Sequence, residues 1–231
     1  MLDKTEDEEQ TFQEKVEICA FWQGCDAIGA PFGPMFKLLL LTAQRRDEVR
    51  LMRWEEVDLD RRTWTIPAER AKNGKAHPVA LSDTALNVLR AVESANEKKG
   101  VVKPVDEKKG LVFPARWRWR GGNGDEVPAS GLSAAKRRLD AKMAKTLGRP
   151  VEHFTLHDLR RTATTEMAAM GIAPHVVDKM LNHLSGTIRG VAAIYNRHEY
   201  RAEQRAAWMA WGERLAAIVG ENVVEMMRAW P

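Results

Sequence analysis

The sequence predicts an α+β fold that is mainly α-helical and contains one small antiparallel sheet of three strands. Two observations support this prediction. Apolar residues recur at helical spacing over most of the chain, whereas three short runs between residues 57 and 81 alternate polar and apolar residues. The chain has 231 residues, of which 44% are hydrophobic and 29% are charged. It is therefore long enough for one domain with a sizeable core.

The spacing of apolar residues predicts three helices between residues 12 and 52. Apolar spacing favours a helix from Phe12 to about Ile28, which Gly29 and Pro31 end. Further helices are predicted over residues 34–42 and 47–52.

The alternating runs then predict the sheet. The predicted strands cover residues 57–60, 63–66 and 78–81. Asn73-Gly74 lies between the second and third runs, and Asn-Gly between alternating runs indicates a hairpin, because both residues tolerate positive φ.

The remaining elements are again helical, apart from an extended segment over 111–114. Ser82 is the expected N-cap of a helix that continues to about Ala95, and Ser133 begins a basic helix that ends near Gly148. Later helices are expected over residues 156–170, 174–182, 188–196 and 199–218, with a last one from Glu221. Thr155 is a plausible N-cap with Asp158 at N3, an arrangement close to a capping box.

Composition excludes several classes of protein. Two cysteines indicate neither a disulfide framework nor a four-ligand zinc site. The acidic start lacks the apolar core of a signal peptide, and the apolar run 38–41 is too short to span a bilayer. A soluble, cytoplasmic protein with no membrane partner is expected. The net charge of +4, with basic clusters at 116–120 and 136–138, permits a polyanionic partner.

Four short motifs contain residues suited to phosphate chemistry. In chain order they are T-A-Q-R-R-D-E at 42–48, H-D-L-R at 157–160, N-H at 182–183 and Y-N-R-H-E-Y at 195–200. Arginine presents a planar, permanently charged fork to a phosphate, and the first turn of a helix favours an anion. Each motif alone has a simpler explanation, such as a surface ion pair between Arg45 and Glu48. Their ordered conjunction is far more specific.

In that order, the motifs resemble the active site of the tyrosine recombinases, the phage-type integrases. The resemblance covers about residues 12–218 and implies an integrase-like catalytic domain. It divides the chain into a leader or linker over 1–11, a catalytic domain over 12–220 and a C-terminal helical tail over 221–231.

The resemblance also implies a role for each residue. The implied catalytic residues are Arg45, Lys72, His157, Arg160, His183 and Tyr195. Arg45 and Arg160 would hold the phosphate, His183 would bond to it, His157 would be the base and Tyr195 the nucleophile. Lys72, beside the predicted turn, would protonate the leaving group, with Lys75 as its competitor. Glu48 would be a buried partner of Arg45, Tyr200 a structural aromatic and Arg161 a surface residue.

Three positions depart from the family pattern. Ala43 and Asn182 stand where glycine is common, and Ala80 stands in place of the proline of V-P-L. Asparagine tolerates positive φ better than most residues, so the change at 182 is conservative in conformation.

The function implied is a site-specific recombinase that cleaves and rejoins DNA through a 3′-phosphotyrosyl intermediate in integration or excision of a mobile element or prophage. The implied partners are double-stranded DNA attachment sites, other copies of the chain in a tetramer on DNA, and an accessory DNA-bending or directionality factor. No cofactor or metal is implied.

Three alternatives remain: a type IB topoisomerase-like enzyme, a non-catalytic DNA-binding regulator with the same fold, and a metal site. The last would use His153 and His157 with His183, but no carboxylate completes it.

Overall fold

The computed structural model describes residues 4–98, 109–115, 127–183 and 198–220. Within these ranges the chain forms α-helices and one three-stranded antiparallel sheet, which confirms the predicted fold class. The helices are α1 Lys4–Ile28, α2 Phe32–Thr42, α3 Arg46–Arg50, α4 Asp83–Lys98, α5 Leu132–Leu147, α6 Asp158–Ala169, α7 Pro174–Met180 and α8 Arg201–Gly220. The strands are β1 Val57–Asp58, β2 Thr63–Ile66 and β3 His77–Ala80.

Helix α1 begins at Lys4, whereas the apolar pattern predicts a start at Phe12. Residues 4–11 include Glu, Gln and Lys, which are strong helix formers but contribute nothing to an apolar period. Helix α2 begins at Phe32, before the predicted Pro34, which occupies the first turn, where a missing N–H costs nothing.

Helix α2 is the centre of the core. Every residue from Met35 to Thr42 is buried, and the helix packs against α1, α4, α6 and α8. A helix that is apolar on all sides suits a fully buried position. Its approach to α1 needs a glycine, because a Cβ added at Gly33 would lie 2.1 Å from the carbonyl oxygen of Cys25.

The carbonyl groups at the end of α2 are bonded by side chains from α8. The indole N–H of Trp211 donates to the carbonyl of Leu40 at 3.0 Å, and that of Trp208 donates to the carbonyl of Thr42 at 3.2 Å. These groups have no partner within their own helix. The chain then turns at Ala43, whose φ of 55° is left-handed, and Arg45 follows two residues later.

The sheet has the order β1-β2-β3, with Val57 opposite Trp64 and Ile66 opposite His77. Trp64 and Ile66 are fully buried, as the alternation predicts. The predicted hairpin is present, but residues 67–76 form a longer connection than a two-residue Asn-Gly turn. Of that pair only Gly74 has positive φ, at 65°.

Ser82 caps α4, as predicted: its Oγ accepts the backbone N–H of Ala85 at 3.3 Å. Helix α8 lies very close to this cap, since a Cβ added at Gly212 would be 2.2 Å from the Cβ of Ser82. The carbonyl of Gly212 also accepts the hydroxyl of Thr84 at 3.1 Å.

Helices α5, α7 and α8 lie close to their predicted positions, whereas α6 begins at Asp158 and not at residue 156. The predicted helices over 188–196 and from Glu221 lie outside the described residues, as does the basic cluster 116–120. Within the described part of the chain, no helix is both long and apolar enough to cross a membrane.

Candidate active site

The guanidinium of Arg160 is the centre of the site. Its Nη1 donates to the carbonyl of Ala43 and its Nη2 to the carbonyl of Leu181, both at 2.6 Å. The side chain comes from the first turn of α6, and the two carbonyls lie just beyond the ends of α2 and α7. Arg160 is only 6% exposed. One buried arginine therefore joins three helices.

His183 lies beside Arg160, at the end of the turn that follows α7. Its Nε2 is 3.2 Å from Nη2 of Arg160, and its Nδ1 is 3.2 Å from Oδ1 of Asp178. Because a guanidinium can only donate, Nε2 must accept, and the proton is on Nδ1, which donates to the carboxylate. This arrangement corresponds to the Nδ1–H tautomer of the ring.

Asn182 takes the left-handed conformation expected for a residue that replaces glycine, with φ of 52°. Its side chain pairs with the side chain of Asn73 in the β2–β3 connection. The turn before His183 is therefore bonded to the loop that carries Lys72.

Arg45 is the N-cap residue of α3, and its side chain is 26% exposed. Its Nη1 lies 3.1 Å from Oε1 of Glu48, and the other oxygen of this carboxylate accepts the backbone N–H of Arg45 at 2.9 Å. Glu48 is only 5% exposed, so it lies buried beneath Arg45, as expected. The ion pair fixes Arg45 while leaving part of its guanidinium at the surface.

Arg45 and Arg160 are close enough to affect each other electrostatically. Burial, followed by the charge of Arg45, lowers the pKa of Arg160 to about 10, and Glu48 acts in the opposite direction. Arg160 is still charged at neutral pH. A phosphate bound between them would relieve their mutual repulsion and gain charge-assisted hydrogen bonds.

His157 is exposed and occupies the N-cap position of α6, one residue outside the helix. The predicted cap is only half formed, because the carboxylate of Asp158 accepts both the backbone N–H and the hydroxyl of Thr155 at 2.8 Å. These bonds lower the pKa of Asp158. His157 is followed at i+3 by Arg160, at the start of the same helix.

Lys72 and Lys75 are both exposed in the 67–76 connection. Tyr195, the expected nucleophile, lies outside the described residues. The described chain resumes at His198, and the ring of Tyr200 packs at 4.6 Å from the rings of both His175 and His198. Tyr200 therefore takes up a packing position.

Two residues that the sequence motifs do not indicate also make contacts around the site. One is Asp178, the partner of His183. The other is His77 on β3, which is buried and whose Nε2 lies 3.0 Å from the carbonyl of Met180. That carbonyl also accepts the side-chain amide of Gln44 at 2.9 Å. Asp178 could be found from the sequence, because it is a carboxylate five residues before His183. His77 could not, because its contacts join distant parts of the chain.

Helix α5 presents a basic surface. Its exposed cationic side chains are Arg137, Arg138, Lys142 and Lys145.

Among the described residues, no group of three or more His, Cys, Asp or Glu side chains is arranged to hold a metal ion.

Comparison with known proteins gives one family match and several relatives. The model of the phage integrase family matches residues 11–201. Prophage integrase IntA of Escherichia coli (strain K12) is 28% identical over 190 residues, covering 82% of this chain and 40% of that protein. Prophage integrase IntZ of the same strain is 29% identical over 208 residues, covering 89% and 45% respectively. The chain thus spans less than half the length of these relatives.

Solved structures show the same fold. The crystal structure of XerA recombinase superposes with a TM-score of 0.54 at 15% identity, over 93% of this chain and 62% of that one. The structure of XerH site-specific recombinase bound to difH substrate, a pre-cleavage complex, gives a TM-score of 0.52 at 16% identity, over 93% of this chain and 51% of that one.

Proposed function

Because the chain belongs to the phage integrase family, we propose that it contains the catalytic unit of a site-specific DNA recombinase. The reaction proposed is cleavage and rejoining of DNA through a 3′-phosphotyrosyl intermediate, in integration or excision of a mobile element or prophage. The observation that supports this best is the proximity of the buried Arg160 to the partly exposed Arg45. Two neighbouring positive charges, of which only Arg45 has a carboxylate within ion-pair distance among the described residues, suit the binding of an anion.

The phosphate would bind where these charges converge. Arg45 and Arg160 hold the non-bridging oxygens and stabilise the charge that grows in the transition state. Nη2 of Arg160 and Nε2 of His183 are in contact, so a phosphate oxygen placed near them lies within reach of both. Asp178 keeps the ring of His183 oriented through Nδ1.

The covalent step exchanges one phosphate ester for another. The phenol of Tyr195 is mostly protonated at neutral pH and needs a base, which we assign to His157. The phenolic oxygen forms a bond with phosphorus while the bond to the 5′ oxygen breaks. Lys72 gives its proton to that departing oxygen, which leaves a free 5′ hydroxyl. The ester bond energy is preserved for rejoining, so no outside energy source is needed.

The partner we propose is double-stranded DNA at the attachment sites of the element. The exposed cations of α5 give a surface suited to the phosphate backbone, which attracts lysine and arginine irrespective of sequence. We also propose that four copies of the chain assemble on DNA and that an accessory DNA-bending or directionality factor takes part. We assign catalysis to residues 12–220, a leader or linker to 1–11 and subunit contacts to the tail 221–231.

A nicked duplex carrying the attachment site tests the proposal. Cleavage opposite the nick releases a short strand that diffuses away, so the covalent protein–DNA adduct accumulates and can be seen on a denaturing gel. We expect the adduct to form in the presence of EDTA. Absence of an adduct on duplexes that the protein binds would favour the regulator, and relaxation of supercoils without strand exchange would favour the topoisomerase.

A further inference from the structure

Two asparagine side chains hold the loop of Lys72 against the turn of His183. The Nδ2 of Asn73 donates to Oδ1 of Asn182, and the Nδ2 of Asn182 donates back to Oδ1 of Asn73 at 3.3 Å. Both side chains are partly buried, and the residues are 109 positions apart in the chain. Because two hydrogen bonds must be satisfied at once, the pair fixes the orientation of the two segments as well as their separation.

The orientation of the Asn73 amide is fixed by its own segment. Oδ1 of Asn73 also accepts the backbone N–H of Lys75 at 3.1 Å, so the amide oxygen faces the loop and Nδ2 is directed to Asn182. Asn182 has a φ of 52°, a conformation that glycine adopts freely and asparagine tolerates. Glycine, common at this position in the family, would preserve the turn but could not form the pair.

Lys72 lies between two anchors of its loop. Before it, Nη2 of Arg70 lies 2.5 Å from Oε2 of Glu56, and Nη1 of the same guanidinium donates to the carbonyl of Leu51. After it, Asn73 is bonded to Asn182. The lysine side chain itself is exposed and long, so the position of its main chain decides which region its ammonium group reaches.

We propose that Asn73 and Asn182 are positioning residues that hold Lys72 at a fixed distance from the phosphate bound by His183 and Arg160. This inference rests on the proposed function, in which Lys72 protonates the departing 5′ oxygen. As the phosphorus–oxygen bond breaks, its electron pair stays on the 5′ oxygen, which takes a proton from Nζ of Lys72. The pair links the residue that donates this proton to the turn that binds the phosphate.

A DNA substrate that needs no proton donor separates this role from a purely structural one. In such a duplex, sulfur replaces the bridging 5′ oxygen, and a thiolate leaves without protonation because thiols are far stronger acids than alcohols. We expect Asn182→Gly to slow cleavage of the oxygen duplex by about 10- to 100-fold, since misplacing a reacting group by ~1 Å has effects of that size. On the sulfur duplex we expect a rate close to that of the parent.

The comparison variants make the result specific. On the oxygen duplex, Lys72→Ala should lower the cleavage rate more than Asn182→Gly does, and on the sulfur duplex its rate should likewise return close to that of the parent. Arg160→Ala should cleave neither duplex at a normal rate. Asn73→Ala combined with Asn182→Gly should be no slower than the slower single variant. Asn87→Ala, on the exposed side of α4, removes an asparagine without touching the loop and should match the parent.

Hydrogen–deuterium exchange of the free protein provides a second readout that needs no DNA. Exchange over residues 67–76 should rise in Asn182→Gly. Three results would overturn the inference. The first is unchanged exchange over residues 67–76 in Asn182→Gly, and the second is an equal loss of its cleavage rate on the oxygen and sulfur duplexes. The third is that the sulfur duplex restores cleavage in Lys75→Ala and not in Lys72→Ala. A parent protein that forms no adduct on either duplex would contradict the proposed function, and with it the role of the pair in catalysis.

Discussion

Nη2 of Arg160 lies 3.2 Å from Nε2 of His183, so these two side chains are in direct contact. The contact requires Nε2 to accept, which leaves the Nδ1 proton facing Asp178 at 3.2 Å. Binding of a phosphate would replace the nitrogen–nitrogen contact by bonds to oxygen. Arg160, His183 and Asp178 thus form one connected group of side chains.

We predict that Tyr195→Phe abolishes the covalent adduct and leaves DNA binding intact, because only the hydroxyl oxygen is removed. Tyr200→Phe is the matched control. Its ring packs against the rings of His175 and His198, and Phe retains that ring, so much of the activity should remain. Mapping of the adduct peptide by mass spectrometry checks the assignment, and an adduct at Tyr200 would show that it is wrong.

Arg160→Ala should reduce both cleavage and stability. Loss of one preorganised charge typically lowers the rate by about 10²–10³-fold. The substitution also leaves two buried carbonyls without their charged donor, so we expect the free energy of unfolding to fall by about 2–4 kcal/mol. Urea denaturation followed by tryptophan fluorescence measures the change. Arg161→Ala is the control: this side chain is 78% exposed and should change stability by less than about 0.5 kcal/mol.

His77 should make the protein less stable in mild acid. Burial lowers the pKa of His77, so between its unfolded and folded values the unfolded chain binds more protons. Stability is therefore greatest above the unfolded pKa of histidine, about 6.5, and falls as pH decreases below it. His77→Gln retains an N–H for the carbonyl of Met180 but does not titrate. Urea denaturation at several pH values should give a shallower decline for this variant; parallel curves would contradict the prediction.

Gly212→Ala should destabilise the fold, because the new Cβ would overlap Ser82 at 2.2 Å. Overpacking of this kind costs about 1–3 kcal/mol. Ser82→Gly removes the obstructing side chain at a loss of only a few tenths of a kcal/mol in capping. The double variant should therefore be more stable than the two single changes predict. Gly220→Ala, on the same helix but with open space at its Cβ, should show little loss.

Deletion of residues 221–231 should reduce cooperative assembly on DNA more than single-site cleavage. The tail follows the last proposed catalytic residue and contains several apolar side chains. Gel-shift titrations measure assembly, and the nicked duplex measures cleavage in the same preparations. Equal loss of both, or unfolding of the truncated protein, would instead assign the tail to the core.

Local patterns predicted the features that depend on a few neighbouring residues. The cap at Ser82 follows from one side chain and its immediate context, whereas the positive φ of Asn182 and the burial of Glu48 were implied by the resemblance to the integrase motifs. The start of α1 was missed because the prediction followed apolar spacing, whereas charged helix formers extend the helix to Lys4.

Features that join distant segments could not be predicted in this way. The carbonyl of Met180 is bonded by His77, 103 residues away, and by Gln44, 136 residues away. Similarly, the length of the β2–β3 connection is set by the pairing of Ile66 with His77 and not by the Asn-Gly signal. No local pattern contains such partners.

The two carbonyls that accept hydrogen bonds from Arg160 affect which residues evolution would retain in a chain that loses its activity. A variant chain that lost Tyr195 would lose the proposed strand cleavage, yet selection for a stable fold would still retain Arg160, because the ends of α2 and α7 depend on it. Arg45, which bonds chiefly within its own turn, would be under weaker constraint. In inactive descendants we therefore expect Arg45 to be lost before Arg160, so retention of Arg160 alone would not be a sign of surviving activity.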